Sequence, residues 1–149
     1  MKIKICKIIL FYFIFLFVHA NAITNRIILK VENEIITNYE VKNKILTSLV
    51  LAGNEITQEN INKLKKQALE SLIENKLKTI ELEKFQIEKN SSQINSYLNS
   101  ISGNDILALE NKFKSNNLDY NLFLEEVEIQ TKWQNFIYLF YKGKIEINE

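Results

Sequence analysis

The segment INKLKKQALESLIENKLKTI, residues 61–80, decides the fold of this chain. Its apolar residues recur every three or four positions and form one stripe along a helix with a period of 3.6 residues. The stripe consists of Ile61, Leu64, Ala68, Leu69, Leu72, Ile73, Leu77 and Ile80. The other face carries Lys63, Lys66, Glu70, Glu74, Lys78 and Glu81, which suits water. Burying each Leu or Ile contributes about 1.5–3 kcal/mol, so the segment predicts a central helix that needs packing partners.

The first 22 residues have the three-part pattern of a secretory signal peptide. Three lysines open the chain, residues 8–18 form an apolar run of eleven, and residues 20–22 (ANA) offer the small side chains of a cleavage site. A permanent membrane anchor needs about 20 apolar residues. We therefore expect cleavage after Ala22 and a mature domain of residues 23–149. The alternative is an uncleaved signal that tethers an assembly factor to the inner membrane.

Removing the signal peptide changes the composition. Only three of the 19 basic residues and none of the 18 acidic residues lie in it, so the mature chain has a formal charge of −2. The single cysteine, Cys6, and the single histidine, His19, are also removed. The mature chain then has no disulfide, thiol or imidazole, which argues against zinc sites and against Ser-His or Cys-His catalysis. An exported chain without cysteine fits a bacterial periplasm.

The other chemical groups do not indicate an enzyme. Glu125, Glu126 and Glu128 lie near the start of a predicted helix, where acids favour the helix dipole and water. The three glycines stand far apart, so they cannot form a phosphate-binding loop. The lysines are interleaved with acids, which argues against binding nucleic acid. We therefore expect no catalytic residue, no metal, no other cofactor and no nucleic-acid partner.

Capping residues and apolar periodicity outline the remaining elements. The sequence predicts a strand over 26–32, a turn at Asn33-Glu34, a strand at 35–36, helices capped by Thr37, Thr57, Ser91 or Ser92, Asp105 and Asp119, and a strand-like tail over 144–149. The first helix should bury Val41, Ile45, Leu49 and Ala52. The predicted fold is mainly α, with about five helices packed around a long central helix and a short N-terminal β-strand pair.

Three segments, in order, resemble the N-terminal domain of SurA-type periplasmic chaperones. They are RIILKVENEIITNYEV (26–41), QALESLIENKLKTIELEKFQIEKNSSQIN (67–95) and NNLDYNLFLEEVEIQTKWQNFIYLFYKGKIEI (116–147). They are similar to the opening strand, turn and helix start of that family, to its central helix with the Ser-capped helix after it, and to its entry into a long terminal helix. Asn116-Asn117 stands where the family usually has a glycine. Asparagine tolerates the left-handed backbone that such a turn needs.

This resemblance covers nearly all of residues 23–149 and implies an ATP-independent chaperone, a holdase, for unfolded outer-membrane β-barrel proteins. Family members usually continue into parvulin-type peptidyl-prolyl isomerase domains, whereas this sequence ends at Glu149. The resemblance therefore implies a chaperone module and gives no support for isomerase activity. Two alternatives remain open: a module that pairs with another copy or a separate subunit, and a truncated remnant of such an isomerase.

The last predicted helix is rich in aromatic residues, with seven between positions 120 and 141. Residues 136–141 (FIYLFY) are apolar on every side of the helix, which indicates burial on several sides or contact with a partner. Trp133 and Phe136 fit the core, whereas the hydroxyl groups of Tyr138 and Tyr141 tolerate water at one end. The candidate client-binding residues are Tyr120, Phe123, Trp133, Ile137, Tyr138 and Tyr141.

N-terminal sequencing of protein recovered from bacteria that express the full sequence should give Ile23 as the first residue. Cleavage needs small residues before the cut, so Ala20→Leu/Ala22→Leu should block it, while Asn21→Ser, as a matched control, should leave it intact. A wild-type protein that begins at Met1 would instead establish the membrane-tethered alternative.

Overall fold

The structure, a computed structural model, describes residues 25–142. The predicted signal peptide and the strand-like tail at 144–149 lie outside the described residues. The described elements are β1 (Ile27–Val31), β2 (Glu34–Thr37), α1 (Asn38–Leu51), α2 (Gln58–Phe85), α3 (Ser91–Ser102), α4 (Ile106–Ser115) and α5 (Tyr120–Tyr141). This confirms the mainly α fold, with five helices and a short N-terminal strand pair in residues 25–142.

The two strands form an antiparallel hairpin whose turn lies one residue earlier than predicted. Val31 pairs with Glu34, so Glu32 and Asn33 are the turn residues. Glu32 takes a left-handed φ of 51°, although Asn and Gly are the residues usually found in that conformation. The predicted turn at Asn33-Glu34 was wrong, because glutamate is not a residue type that indicates a left-handed turn position.

Local hydrogen bonds begin each helix, mostly at the predicted residues. The Glu40 N–H donates to the Thr37 hydroxyl at 3.2 Å and the Glu40 carboxylate accepts from the Thr37 N–H at 2.7 Å, which confirms the capping box. The caps predicted at Thr57, Asp105 and Asp119 are also confirmed. Asn90 caps α3, one residue before the predicted Ser91 or Ser92, because asparagine caps a helix about as well as serine.

Left-handed residues end α1 and α4. Gly53 follows α1 with a φ of 69°. Ala52, which we expected to be buried, is the cap between them and is exposed because it lies beyond the last helical turn. After α4, Asn117 has a φ of 54° and the Leu118 N–H donates to the Phe113 carbonyl at 2.9 Å. Asparagine therefore supports the left-handed turn before Leu118, as predicted.

The core consists of two apolar clusters on either side of α1. The first lies between the hairpin, α1 and α2, and its buried members are Ile36, Val41, Ile45, Leu49 and Ala68. The second lies between α1, α3, α4 and α5, and its buried members are Val50, Ile94, Leu98, Leu109, Phe113, Leu118, Phe123 and Val127. Because α1 contributes to both clusters, it joins the hairpin side of the domain to the side formed by the last three helices.

The buried stripe of α2 differs from the predicted one in its second half. The buried residues Ala68, Asn75 and Leu82 follow one another at intervals of seven, which places them close to one line along the helix. Leu77, predicted to be buried, is 51% exposed, whereas the side chain of Lys78, predicted to face water, is only 11% exposed. The prediction failed there because polar groups of α2, and not the apolar stripe alone, meet α5.

Helix α5 contacts each of the other four helices, and its first turn is held by α1. The Asp119 N–H donates to the Asn43 side-chain oxygen at 2.8 Å, and the Asn43 amide donates to the Asp119 carbonyl at 3.4 Å. The Tyr39 hydroxyl donates to the Asp119 carboxylate at 3.1 Å. We call this set of bonds the Asn43–Asp119 clamp. It fixes where α5 starts relative to α1.

Replacing Asn43 with alanine should lower the free energy of unfolding by about 1–3 kcal/mol, because it leaves main-chain groups of Asp119 without partners inside the protein. Urea denaturation followed by circular dichroism measures this change. The matched control is Asn111→Ala, on the exposed side of α4, which should change stability by less than about 0.5 kcal/mol. Equal effects of the two substitutions would contradict the importance of the clamp.

Candidate functional site

The structure separates the six candidate client-binding residues into three groups along α5. Tyr120 and Phe123 lie in its first turn, Trp133 lies in the middle, and Ile137, Tyr138 and Tyr141 lie at the end. At about 1.5 Å per residue, the 22 residues of α5 span about 33 Å. The six residues therefore do not form one compact site.

Phe123 belongs to the core cluster and is almost fully covered by neighbouring side chains. It is 6% exposed, and its ring centroid lies 5.0 Å from that of Phe113, which is fully buried. Tyr120 packs edge-on against the same ring at 5.2 Å. The aromatic pattern of the sequence could not distinguish these residues from surface ones, because the ring that covers them comes from another helix.

The Tyr120 hydroxyl is buried and has no hydrogen-bond partner among the described residues. Burial raises the pKa of Tyr120, and the nearby Glu110 carboxylate raises it further. The tyrosine therefore stays protonated and neutral. Its position indicates a packing role beside the core rather than contact with a client.

Trp133 is partly buried at the junction of α5 with α2. The Lys78 ammonium group lies 5.8 Å from the centre of the Trp133 ring, within the usual range for a cation–π contact. Lys78 also donates to the Gln130 side-chain oxygen at 2.9 Å, and the Gln130 amide donates to the Asn75 side-chain oxygen at 2.8 Å. Trp133 is thus held in place by a polar network that joins the two longest helices.

The end of α5 rests on the end of α2 through a cluster of aromatic rings. The Phe85 ring centroid lies 4.9 Å from that of Phe136 and 5.4 Å from that of Phe140. Phe136 is buried, as expected for a core residue, and Trp133 packs on its other side at 5.2 Å. This cluster holds the last two turns of α5 beside the connection between α2 and α3.

Beyond Phe136, every residue of α5 has an exposed side chain. Tyr138 is 65% exposed and Leu139 is 56% exposed. Ile137, Phe140 and Tyr141 are exposed to smaller extents. We call residues 137–141 the aromatic end of α5. It is a contiguous apolar surface, of the kind that marks interaction sites in soluble proteins.

Leu139 and Phe140 of this surface, and the adjoining Phe85 of α2, were missing from the candidate set. Leu139 lies between the predicted tyrosines, and the all-round apolar character of FIYLFY was the signal that could have identified it. Phe85 is 42% exposed and extends the surface onto α2. Its contribution could not be predicted from the sequence, because Phe85 meets Phe140 only in the folded protein.

Charged side chains frame the aromatic end. The Glu128 carboxylate lies 2.8 Å from the Lys132 ammonium and 2.6 Å from the Lys89 ammonium. Hydrogen bonds from Lys132 and then Lys89 lower the pKa of Glu128, and burial opposes this change only in part. Lys89 belongs to the connection between α2 and α3, and Tyr138 and Leu139 line a surface depression with residues 86–91. The Glu128 ion pairs therefore fasten this connection beside the apolar surface.

In residues 25–142, no cluster of three or more His, Cys, Asp or Glu residues is arranged to hold a metal ion. Among the helices of the same region, none has the length and apolar character needed to cross a membrane.

Comparisons of the chain with models of protein families, with curated proteins and with solved structures find no match. The resemblance to SurA-type chaperones therefore rests on the three sequence segments that carry it.

Replacing Glu128 with glutamine should destabilise the protein at pH 7 and progressively less as the pH is lowered from 4.5 toward 3. A carboxylate whose pKa is lowered on folding adds stability above its ordinary pKa of 4.5, and this stability is lost as the pH falls through the lowered value. At pH 7 we expect a loss of about 0.2–1 kcal/mol for each partly exposed ion pair, measured by urea denaturation. Glu83→Gln, on the exposed face of α2, is the control. A loss for Glu128→Gln that is the same at both pH values would contradict this assignment.

Proposed function

We propose that this protein is an ATP-independent periplasmic chaperone, a holdase, which binds unfolded outer-membrane β-barrel proteins and assists their folding and assembly. The observation that carries the proposal is the aromatic end of α5, where five consecutive apolar residues are exposed. The stable core of a small domain normally covers such residues, because burying each one contributes about 1.5–3 kcal/mol. Their exposure here favours a role in binding.

The chemistry of this surface suits clients of varied sequence. Ile137 and Leu139 offer aliphatic contact, while Tyr138 offers a ring with a hydroxyl that remains hydrated. The nearby Lys89 and Lys132 share the Glu128 carboxylate, and the Lys142 ammonium lies 5.5 Å from the centre of the Tyr138 ring, so the surface is apolar with a positive edge. Many weak apolar contacts give tolerance of sequence, and release then needs no nucleotide.

The location and the class of client come from the sequence. The signal-like segment 1–22 supports export, and the three SurA-like segments support the choice of outer-membrane β-barrel proteins. Strands of such barrels alternate apolar and polar residues and carry girdles of aromatic residues. Unfolded, they present apolar and aromatic groups that match the aromatic end of α5.

Protein produced from the full sequence should suppress the aggregation of a urea-denatured β-barrel protein upon dilution without ATP, as measured by light scattering. The double variant Tyr138→Ser/Tyr141→Ser should lose most of this suppression, because it removes two rings from the exposed surface. Its melting temperature should stay within about 3 °C of wild type, since exposed substitutions change stability by less than about 0.5 kcal/mol.

Leu107→Ser is the matched control, because Leu107 is 71% exposed on α4, away from the aromatic end. It should leave suppression unchanged. Wild-type protein that fails to suppress aggregation at a several-fold molar excess would refute the holdase proposal. A large drop in melting temperature for the tyrosine variant would show instead that the two rings belong to the core.

Pairing with a second copy is the rival use of the same surface. If two copies packed their aromatic ends together, Leu139 and Tyr138 would be buried. The dimer would then have to dissociate before it could suppress aggregation. Multi-angle light scattering distinguishes the two uses. A monomer that suppresses aggregation supports the holdase, whereas a stable dimer that Leu139→Ser converts to monomer supports the pairing module.

A further inference from the structure

A second feature of α5 points to a binding site that the aromatic end does not include. A groove of about 340 Å³ runs between α1, α3 and α5, a volume at the lower end of the roughly 300–1,000 Å³ typical of ligand sites. Its wall is formed by Thr47 and Leu51 of α1, Gln93 and Tyr97 of α3, and Val127 and Gln134 of α5. We call it the α1–α5 groove.

Thr47 gives this groove a polar group that the fold leaves unused. Its side chain is 5% exposed, and its hydroxyl oxygen is buried without a hydrogen-bond partner among the described residues. Thr131 lines the same groove and is equally buried, yet its hydroxyl donates to the Val127 carbonyl at 2.8 Å, the usual solution for a threonine in a helix. A buried hydroxyl without a partner costs stability, so Thr47 is an unsatisfied polar position in the wall of the groove.

The charged residues that line the groove balance each other. Its two charged lining residues, Lys44 and Glu126, form an ion pair with each other. The remaining polar groups are neutral: the hydroxyls of Thr47, Ser48, Tyr97 and Thr131 and the amides of Gln93, Gln130 and Gln134. Hydroxyl and amide groups both donate and accept hydrogen bonds. A ligand that offers donors and acceptors in alternation, without net charge, matches this set.

The groove also leads to the aromatic end. Gln134 and Tyr138 are four residues apart and therefore lie on the same side of α5. The start of α3 contributes Gln93 to the groove and Ser91 to the depression beside Tyr138. From Phe123, which lines the inner part of the groove, to Tyr138 the helix rises about 22 Å. An extended peptide covers this distance with about seven residues at about 3.3 Å each.

We propose that the α1–α5 groove binds the main chain of an extended, uncharged client segment of about seven residues. The groove amides and the Thr47 hydroxyl bond the peptide groups of the segment, while its apolar side chains contact Leu51 and Val127 and continue onto the aromatic end. This assignment rests on the proposed holdase function and adds to it the part of the client that is recognised. Because all peptides share the same main-chain groups, this groove would accept clients of varied sequence, as the aromatic end does.

The probe is a fluorescein-labelled, end-capped peptide of alternating Leu and Ser residues, used with protein produced from the full sequence. A second peptide of the same sequence carries N-methyl groups on alternate main-chain nitrogens, which removes donors and retains the side chains. Fluorescence anisotropy should show at least tenfold weaker binding of the methylated peptide, equivalent to about 1.4 kcal/mol. Equal binding of the two peptides would overturn the proposal.

Two variants test the groove itself. Gln93→Ala/Gln134→Ala changes exposed amides and should weaken binding of the unmethylated peptide about tenfold, whereas Gln67→Ala on α2 should leave it unchanged. Thr47→Val should weaken binding about fivefold and yet raise the melting temperature by about 2–6 °C, because it removes a buried polar group without a partner. A purely structural role for Thr47 predicts a change in melting temperature with unchanged peptide affinity, which would overturn the assignment of its hydroxyl.

These results separate the two proposals. Suppression of aggregation together with equal binding of both peptides retains the holdase and overturns the main-chain groove. Methylation-sensitive peptide binding without suppression of aggregation retains the groove and refutes the holdase.

Discussion

The fold depends on how α1 holds the first turn of α5. The Asn43 side chain presents both an acceptor and a donor to the main chain of Asp119, across 76 positions of sequence. A main-chain N–H and C=O at a helix start would otherwise need water or a local cap. Since α1 also contributes to both apolar clusters, this contact sets the two halves of the domain in one arrangement. The groove beside α1 and the surface at the far end of α5 both take their positions from it.

A polar layer plays a second role between α2 and α5. Asn75 occupies a buried position in the seven-residue repeat of α2, where an apolar residue would give more stability. Its side chain instead accepts a hydrogen bond from Gln130, which accepts one from Lys78. Buried polar positions of this kind are known to fix the register of packed helices at some cost in stability. The layer therefore sets how far α5 extends past α2, and so where Phe136 meets Phe85.

The sequence was sufficient for features that depend on neighbouring residues. Thr37, Thr57, Asp105 and Asp119 bond main-chain groups within one turn, so their caps followed from local chemistry. Features set by distant residues were missed or wrong. Leu77 was expected to be buried and Lys78 to be exposed. The structure shows the reverse, because Gln130 and Trp133 of α5 contact Lys78. Of the candidate site, the exposure of Tyr138 and Tyr141 was foreseen, whereas the burial of Phe123 was not, because the ring that covers it belongs to α4.

The bonding along α5 implies a gradient of local stability within a single helix. Its first turn is fixed by the Asn43–Asp119 clamp and its middle by Lys78 and Asn75, while beyond Phe136 the side chains are exposed and Phe140 packs against Phe136 and the partly exposed Phe85. Exposed segments open at lower free energy than the core. We therefore expect the final turn to open at lower free energy than the rest of the helix. The exposed apolar residues sit on the part of the helix that can change its shape most easily to fit whatever it touches.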